Sequence, residues 1–197
     1  MLRFAVLVSG GGTDLQSIID AWQAGKIHGE LALVVSNRKA AYGLERAKKA
    51  NIPAVCIHKQ ENLLKKLKKE NIDFVVLAGY LAILSKELIE AYPNKIINIH
   101  PSLIPSFCGD GMYGMNVHNA IFAKGAKVSG ATVHFVSEEV DGGPIIAQRA
   151  VPIDDLNSPE EIQARVLEIE HQILPEVVAK YCDGKIEINE QGRVIVK

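Results

Sequence analysis

The sequence predicts an α/β fold: a Rossmann-like, mainly parallel twisted sheet with helices on both faces and an antiparallel edge hairpin near the C-terminal part. Two observations lead to this prediction. Short apolar runs alternate with segments of helical periodicity as far as residue 99, which is typical of right-handed βαβ units. From Gly130 the pattern changes to two neighbouring strand-like runs, close enough in sequence to pair as a hairpin.

The first half of the chain supplies the parallel part of the sheet. Phe4–Val8 is a continuous apolar run, which is typical of a strand buried on both faces. Apolar residues at positions 15, 18, 19 and 22 have helical spacing, and Gly25 is expected to end this first helix. Further strands are predicted at 31–35, 54–57, 74–78 and 95–99, with helices between them at about 43–50, 60–70 and 85–92.

The second half supplies the edge hairpin and a long helix. Strands are predicted at 131–136 and 145–151, and a small terminal hairpin at 185–196. Ser158–Glu161 forms a capping box with proline at the first helical position, and a kink is expected at Pro175. Because no repeat, low-complexity tract or linker divides the chain, residues 1–197 are predicted to form a single domain.

Composition limits the classes of partner and compartment. The 197 residues carry a net charge of −1, so we expect no general attraction to nucleic acid or to an anionic membrane. Three cysteines without C-x-x-C spacing indicate neither a disulfide framework nor a zinc knuckle. The apolar run at the N-terminus is too short for a signal peptide and no stretch approaches a membrane span, so a cytoplasmic protein is expected.

A glycine-rich loop, Ser9–Asp14, joins the first strand to the first helix. Glycines let backbone N–H groups approach an anion, and a helix N-terminus adds about half a positive charge. The same glycines would also serve a tight turn without a ligand. A monophosphate suits the loop better than a dinucleotide, because Leu15 replaces the third fingerprint glycine and Ser36–Asn37 replaces the ribose-binding acid.

Polar side chains gather at the carboxyl end of the strand at 95–99. Asn98 and His100 are two residues apart, so they point to one face, where open α/β sheets bind their ligands. His134 and Thr132 share a face of a later strand, and Asp141 begins an Asp-Gly-Gly-Pro turn. An amide beside an imidazole suits stabilisation of an oxyanion, although polar strand ends and turn aspartates are also common structural features.

Other chemistries suit these residues less well. The spacing of His100, His118, His134 and Asp141 matches no zinc pattern, so no metal is predicted. The loop serines at 102 and 106 lack the nucleophile-elbow sequence. A nucleotide-binding module without chemistry is an alternative, and it would require the residues at 98, 100 and 141 to be scattered in space.

These motifs together resemble the phosphoribosylglycinamide formyltransferases over essentially the whole chain. The most specific motifs are Asn98–Pro105 and His134–Val136 followed by Asp141–Pro144. The first motif is shared with other folate-dependent formyl carriers, including methionyl-tRNA formyltransferase and formyltetrahydrofolate deformylase. The short chain, the glycine loop and Glu170–His171 favour the family that acts on glycinamide ribonucleotide.

The resemblance implies direct, metal-free transfer of a formyl group from 10-formyltetrahydrofolate to the amine of glycinamide ribonucleotide in purine biosynthesis. It implies Asn98, His100 and Asp141 as catalytic residues, and His134 and Thr132 are added here as candidates that support them. The implied binding residues are Gly11, Gly12 and Thr13 for phosphate, Glu170 for ribose, and Leu81, Ala82, Ile83, Leu84, Val140 and Asp141 for folate.

Three departures from the family pattern give further expectations. Asp14 stands where asparagine is frequent, and we expect it to cap the first helix without touching phosphate. Ala82 stands where a basic residue is frequent, so one folate contact is expected from backbone alone. Residues 110–114 resemble an insertion, expected to be a flexible lid with Met112 or Tyr113 as its apolar contact.

In the expected reaction, Asn98 and a protonated His100 stabilise the oxyanion, while Asp141 relays a proton and keeps His100 charged. The alternatives are a formyltetrahydrofolate hydrolase with the same residues and another folate-dependent formyltransferase. The expected partners are small-molecule substrates, with no nucleic acid and no membrane, and the protein is expected to be a monomer or a homodimer.

Overall fold

The computed structural model describes residues 1–197 as a seven-stranded sheet, a separate two-stranded sheet and six helices. The strands are β1 (Arg3–Val8), β2 (Glu30–Ser36), β3 (Ala54–Cys56), β4 (Phe74–Leu77), β5 (Ile96–His100), β6 (Val128–Phe135), β7 (Ile145–Pro152), β8 (Ile186–Ile188) and β9 (Val194–Val196). The helices are α1 (Thr13–Gln23), α2 (Tyr42–Lys49), α3 (Gln60–Lys69), α4 (Lys86–Ala91), α5 (Met115–Lys124) and α6 (Pro159–Cys182).

The large sheet has the order β3-β2-β1-β4-β5-β6-β7. Its first five strands are parallel, whereas β6 pairs antiparallel with β5 and with the edge strand β7. The small sheet is the antiparallel pair β8–β9. The predicted α/β fold, with its edge hairpin and terminal hairpin, is confirmed.

Two hydrophobic cores lie on the two faces of the sheet. One core packs β1 and its neighbours against α1, α2, α5 and α6, through residues such as Leu15 and Ile162. The other packs the opposite face against α3 and α4, through Leu63 and Leu88. Phe4 to Val8 are fully buried because helices cover both sides of β1, which is why that strand is apolar at every position.

Helix α5 was not predicted, whereas α6 is present as predicted and includes Pro175. Only Val117, His118 and Ile121 of α5 are buried, so its apolar pattern is weak and only Gly114 and Gly125 mark its ends. Helix α6 continues through Pro175 to Cys182. Its predicted capping box is present, since the backbone N–H of Glu161 donates to Ser158 Oγ at 3.2 Å.

The strand order reverses direction between β1 and β4, because β2 lies on one side of β1 and β4 on the other. The loops after these strands are tied together: Ser9 N–H donates to the Gly79 carbonyl at 3.0 Å, and Leu81 N–H donates to Ser9 Oγ at 2.9 Å. Open α/β sheets bind ligands at such a switch point. None of the helices has the length and apolar character needed to cross a membrane.

Candidate active site

A cavity of about 560 Å³ opens at the carboxyl ends of β1, β4 and β5. The loops after these strands, the segment 109–114, the turn at 136–141 and one face of α6 form its wall. All but one of the predicted site residues line it; the exception is Thr132. The lining residues from the prediction are Gly11, Gly12, Thr13, Leu81, Ala82, Ile83, Leu84, Asn98, His100, His134, Val140, Asp141 and Glu170.

Asp141 lies between two histidines. Its Oδ2 is 3.5 Å from His100 Nδ1, and its Oδ1 is 3.6 Å from His134 Nε2. The backbone N–H of Gly109 donates to Oδ2 at 3.0 Å. Asp141 adopts a left-handed backbone conformation with φ 55°, which asparagine and aspartate tolerate better than most residues.

Asn98 donates to His134, its antiparallel neighbour across β5 and β6. His134 Nδ1 lies 2.9 Å from the Phe135 carbonyl, which can only accept, so this nitrogen carries the proton. His134 Nε2 is therefore the acceptor for Asn98 Nδ2 at 3.1 Å. An amide nitrogen has two N–H groups, so the second N–H of Asn98 remains for a ligand in the cavity.

The ionised form of Asp141 is favoured in this site. Burial by itself raises the pKa of this carboxyl, but the neighbouring His134 ring, the hydrogen bond from the Gly109 N–H group and the neighbouring His100 ring together lower it more. The net pKa lies below the ordinary value of an aspartate. Asp141 is therefore a carboxylate at neutral pH, as a proton acceptor must be.

His100 lies between opposing influences on its protonation. Burial lowers the pKa of His100 below its ordinary value, and the opposing effects of Asp141 and the Phe107 carbonyl do not reverse this. Its Nε2–H donates to the Phe107 carbonyl at 2.9 Å. Nε2 of His100 is thus engaged by the loop that follows β5, and its Nδ1 faces the Asp141 carboxylate.

Thr132 does not reach the cavity, although it pairs with His100 across β5 and β6. Its Oγ1 donates to the Ser102 carbonyl at 2.7 Å and accepts from the Ile104 N–H at 3.1 Å. Gln148 Nε2 also donates to this oxygen, at 3.0 Å. The Thr132 side chain therefore holds the loop after β5 in place, and it makes no hydrogen bond to His100, His134 or Asp141.

The glycine loop presents free backbone donors to the cavity. The N–H groups of Gly11, Gly12 and Thr13 donate to no group of the protein, whereas the Gly11 carbonyl accepts from Arg46 Nε at 2.7 Å. Gly12 caps α1 with φ 71°, and a Cβ there would come within 2.8 Å of Gly43 Cα. Three aligned N–H groups at a helix N-terminus form a site for an anion.

The prediction that Asp14 caps α1 is wrong. The N-cap is Gly12, which makes no side-chain hydrogen bond, and Asp14 is already the second residue of the helix. The Asp14 side chain is buried against Glu170 of α6. Sequence spacing could not indicate this contact, because the packing of α1 on α6 creates it.

The other end of the cavity is apolar. Leu81, Ile83 and Val140 are exposed apolar side chains on its wall, and Ile83 is 74% exposed. Leu84 lies behind them, buried in the core of the α3–α4 face. A flat aromatic ligand would cover such surface.

The segment 109–114 lines the cavity opposite the glycine loop. Its three glycines, at 109, 111 and 114, all have positive φ. Met112 packs against the core, whereas Tyr113 is 57% exposed. Tyr113 is therefore the better placed of the two side chains to contact a ligand.

His118 of α5 lines the cavity, and the sequence did not predict this position for it. It is buried beside His100, and burial followed by the charge of His100 lowers its pKa to about 4. Its Nδ1 has no hydrogen-bond partner. The signal in the sequence was only a histidine after the 110–114 segment, since α5 itself was not predicted.

The structure contains no cluster of three or more His, Cys, Asp or Glu side chains suited to a metal ion.

The fold and this site define a class of protein. Residues 2–178 match the model of the family described as formyl transferase, and the chain belongs to that family. The phosphoribosylglycinamide formyltransferase of Haemophilus influenzae is 40% identical, over 96% of this chain and 92% of its own length. The chloroplastic phosphoribosylglycinamide formyltransferase of Vigna unguiculata is 42% identical, and this chain spans 65% of its length.

Solved structures show the same likeness. Glycinamide ribonucleotide transformylase 1 from Symbiobacterium toebii is 39% identical, with a TM-score of 0.92 over 100% of this chain and 94% of its own. A formyltetrahydrofolate deformylase from Pseudomonas syringae is 25% identical, with a TM-score of 0.89 over 99% of this chain and 65% of its own. In sequence, the chain is therefore more similar to this ribonucleotide transformylase than to this deformylase.

Proposed function

We propose that this chain transfers the formyl group of 10-formyltetrahydrofolate to the amine of glycinamide ribonucleotide, a step of purine biosynthesis. The observation that carries the proposal is that one cavity holds Asn98, His100 and Asp141 together with the free N–H groups of the glycine loop. Its relatives of this name in Haemophilus influenzae and Symbiobacterium toebii match the chain over nearly its whole length.

The two ends of the cavity suit the two substrates. The N–H groups of Gly11, Gly12 and Thr13 would hold the phosphate, and Glu170 on the same wall would accept from the ribose hydroxyls. The exposed apolar surface of Leu81, Ile83 and Val140 would hold the pterin ring, with backbone groups at Ala82 and Asp141 on its polar edge. The amine and the formyl carbon then meet between Asn98 and Asp141.

The reaction forms a C–N bond to the formyl carbon, and the carbonyl electron pair moves onto oxygen. The second N–H of Asn98 donates to this oxyanion, and His100 Nε2–H joins it when the substrate oxygen replaces the Phe107 carbonyl. Asp141 accepts the amine proton, directly or through a water, and passes it to the folate nitrogen as the old C–N bond breaks. His100 donates through Nε2–H without changing its protonation, so the only proton transferred is the one that Asp141 carries from the amine to the folate nitrogen.

The co-substrate, the partners and the domain organisation follow from this reaction. We infer that both ligands are small molecules, that no metal takes part, and that residues 1–197 act as one formyltransferase domain in the cytoplasm as a monomer or a homodimer. The unified sheet supports the single domain, because both cores pack on it.

The rival hydrolase would use the same three residues with water as the acceptor. The free donors of the glycine loop favour a phosphorylated acceptor, because a hydrolase has no need of that subsite. The test is incubation with 10-formyltetrahydrofolate, with and without glycinamide ribonucleotide, followed by quantitation of formylated ribonucleotide and free formate. Formate released at the same rate in both reactions would identify a hydrolase instead.

Substitution of Gly11 by valine tests the phosphate subsite. A Cβ at Gly11 meets nothing within 4 Å, so the side chain would occupy cavity space without disturbing the fold. We expect the KM for the ribonucleotide to rise at least about tenfold, equivalent to about 1.4 kcal/mol, while the KM for folate and the melting temperature stay unchanged. Steady-state kinetics with each substrate varied would measure this.

The matched comparison is Gly12→Val, because Gly12 has positive φ and its Cβ would collide with Gly43. That variant should lose thermal stability, which Gly11→Val should retain. Equal loss of affinity for both substrates in Gly11→Val would contradict a phosphate subsite at this loop.

A further inference from the structure

Two carboxyl groups meet at the wall of the cavity, where α1 packs against α6. Asp14 is 8% exposed and Glu170 is 7% exposed, and both line the cavity. Their side chains are neighbours, and each affects the pKa of the other. Asp14 Oδ1 is fully buried and has no hydrogen-bond partner.

No cation neutralises this pair. His171 Nε2 lies 3.7 Å from Asp14 Oδ1 and also lacks a partner, but burial and then the charge of Arg46 lower the pKa of His171. The guanidinium of Arg46 in α2 donates hydrogen bonds to the Gly11 carbonyl and to the Gln16 side chain. The other titratable groups of α1 and α5 are Asp20 and Lys124, which are exposed, and His118, which is neutral at neutral pH.

Two neighbouring buried carboxyl groups do not both ionise at neutral pH, because no cation compensates the second charge. Burial, and then the charge of Asp14, raise the pKa of Glu170 well above its ordinary value, so Glu170 keeps its proton. Burial raises the pKa of Asp14 to about 6, and the contact with Glu170 opposes this. Asp14, buried with an unpartnered Oδ1, is therefore the member of the pair that carries the charge and the one whose protonation a bound anion would change.

The phosphate subsite adjoins this pair directly. Thr13, whose N–H is one of the three free donors, immediately precedes Asp14 in α1. A phosphate dianion bound there would lie close to the Asp14 carboxylate in a partly buried site, where repulsion between like charges is strong. Protonation of Asp14 removes this repulsion, whereas an asparagine at the same position would never create it.

We propose that Asp14 takes up a proton when the ribonucleotide binds, so that Asp14 sets how ribonucleotide affinity depends on pH. The inference rests on the proposed function. A bound dianion favours the protonated form of Asp14, so binding and protonation are linked. As pH rises, the proton becomes harder to supply and the wild-type affinity falls, by at most about tenfold per pH unit.

The experiment compares wild type with Asp14→Asn, which removes the titrating proton and retains the shape of the side chain. Calorimetric titration with glycinamide ribonucleotide at about pH 7, in two buffers of different ionisation enthalpy, counts the protons taken up per ligand bound. The phosphate and amine of the ligand titrate in the same pH range. The result is therefore the difference in proton uptake between wild type and Asp14→Asn, because the ligand's own contribution is the same for both.

We expect wild type to take up a measurable fraction of a proton more than Asp14→Asn. The ratio of the wild-type Kd to the variant Kd should rise about tenfold between about pH 6 and about pH 8. Asp20→Asn, which changes an exposed aspartate of the same helix, should behave like wild type. Asp14→Ala provides a second variant without the carboxyl, should the asparagine disturb the packing against Glu170.

Equal proton uptake and a constant Kd ratio would overturn the inference. Uptake that persists in Asp14→Asn but disappears in His171→Gln would also overturn it, by assigning the proton to His171. Failure of wild type to bind the ribonucleotide at any pH would contradict the proposed function itself, and is distinguishable because the other outcomes all require binding.

Discussion

Replacement of Asp141 by asparagine should lower kcat by about 10²–10⁴ while both KM values change little. The carboxylate is the group that accepts the amine proton, and an amide cannot accept it. The loss is confined to the transition state, because neither the glycine loop nor the apolar end of the cavity contacts this side chain. Single-turnover formyl transfer would measure the chemical step directly.

The structure indicates that this variant will fold. Asparagine tolerates the left-handed conformation at φ 55°, and its side-chain oxygen can still accept from the Gly109 N–H. Asp154→Asn, a change at an exposed aspartate remote from the cavity, is the matched control and should keep wild-type kinetics. A normal chemical step in Asp141→Asn would leave Asp141 as a turn residue only.

Replacement of Asn98 by alanine should lower kcat by about 10²–10³, because it removes an oxyanion donor. The substitution also leaves His134 Nε2 without its donor at 3.1 Å, so the melting temperature should be measured alongside. Asn62→Ala, at an exposed position of α3, is the control for loss of an amide. A variant with an unchanged chemical step would show that Asn98 contributes only its hydrogen bond to His134.

The double variant Asn98→Ala with Asp141→Asn tests whether the two residues act on the same transition state or in separate steps. Residues that act on one transition state have non-additive effects, so the double variant should lose less rate than the product of the two single losses. Multiplicative losses would mean that the amide and the carboxylate act in separate steps.

The sequence by itself determined the fold class, because apolar periodicity reflects which faces of a strand or helix are buried. It also determined that Asn98 and His100 share a face, since side chains alternate along a strand. The glycine loop could be placed between the first strand and the first helix for the same local reason, since it follows a buried apolar run and precedes residues of helical spacing. These features depend on neighbours in the chain, and the structure contains all of them.

Only the tertiary structure decided how residues distant in sequence act on one another. The antiparallel pairing of β5 with β6 brings His134 to Asn98, and the turn after β6 brings Asp141 between two histidines. Burial in that setting lowers the pKa of His100, and the packing of α1 on α6 places Asp14, which was expected to cap a helix, beside Glu170. Protonation and contact depend on desolvation and on charges from other elements, and a local sequence pattern contains neither.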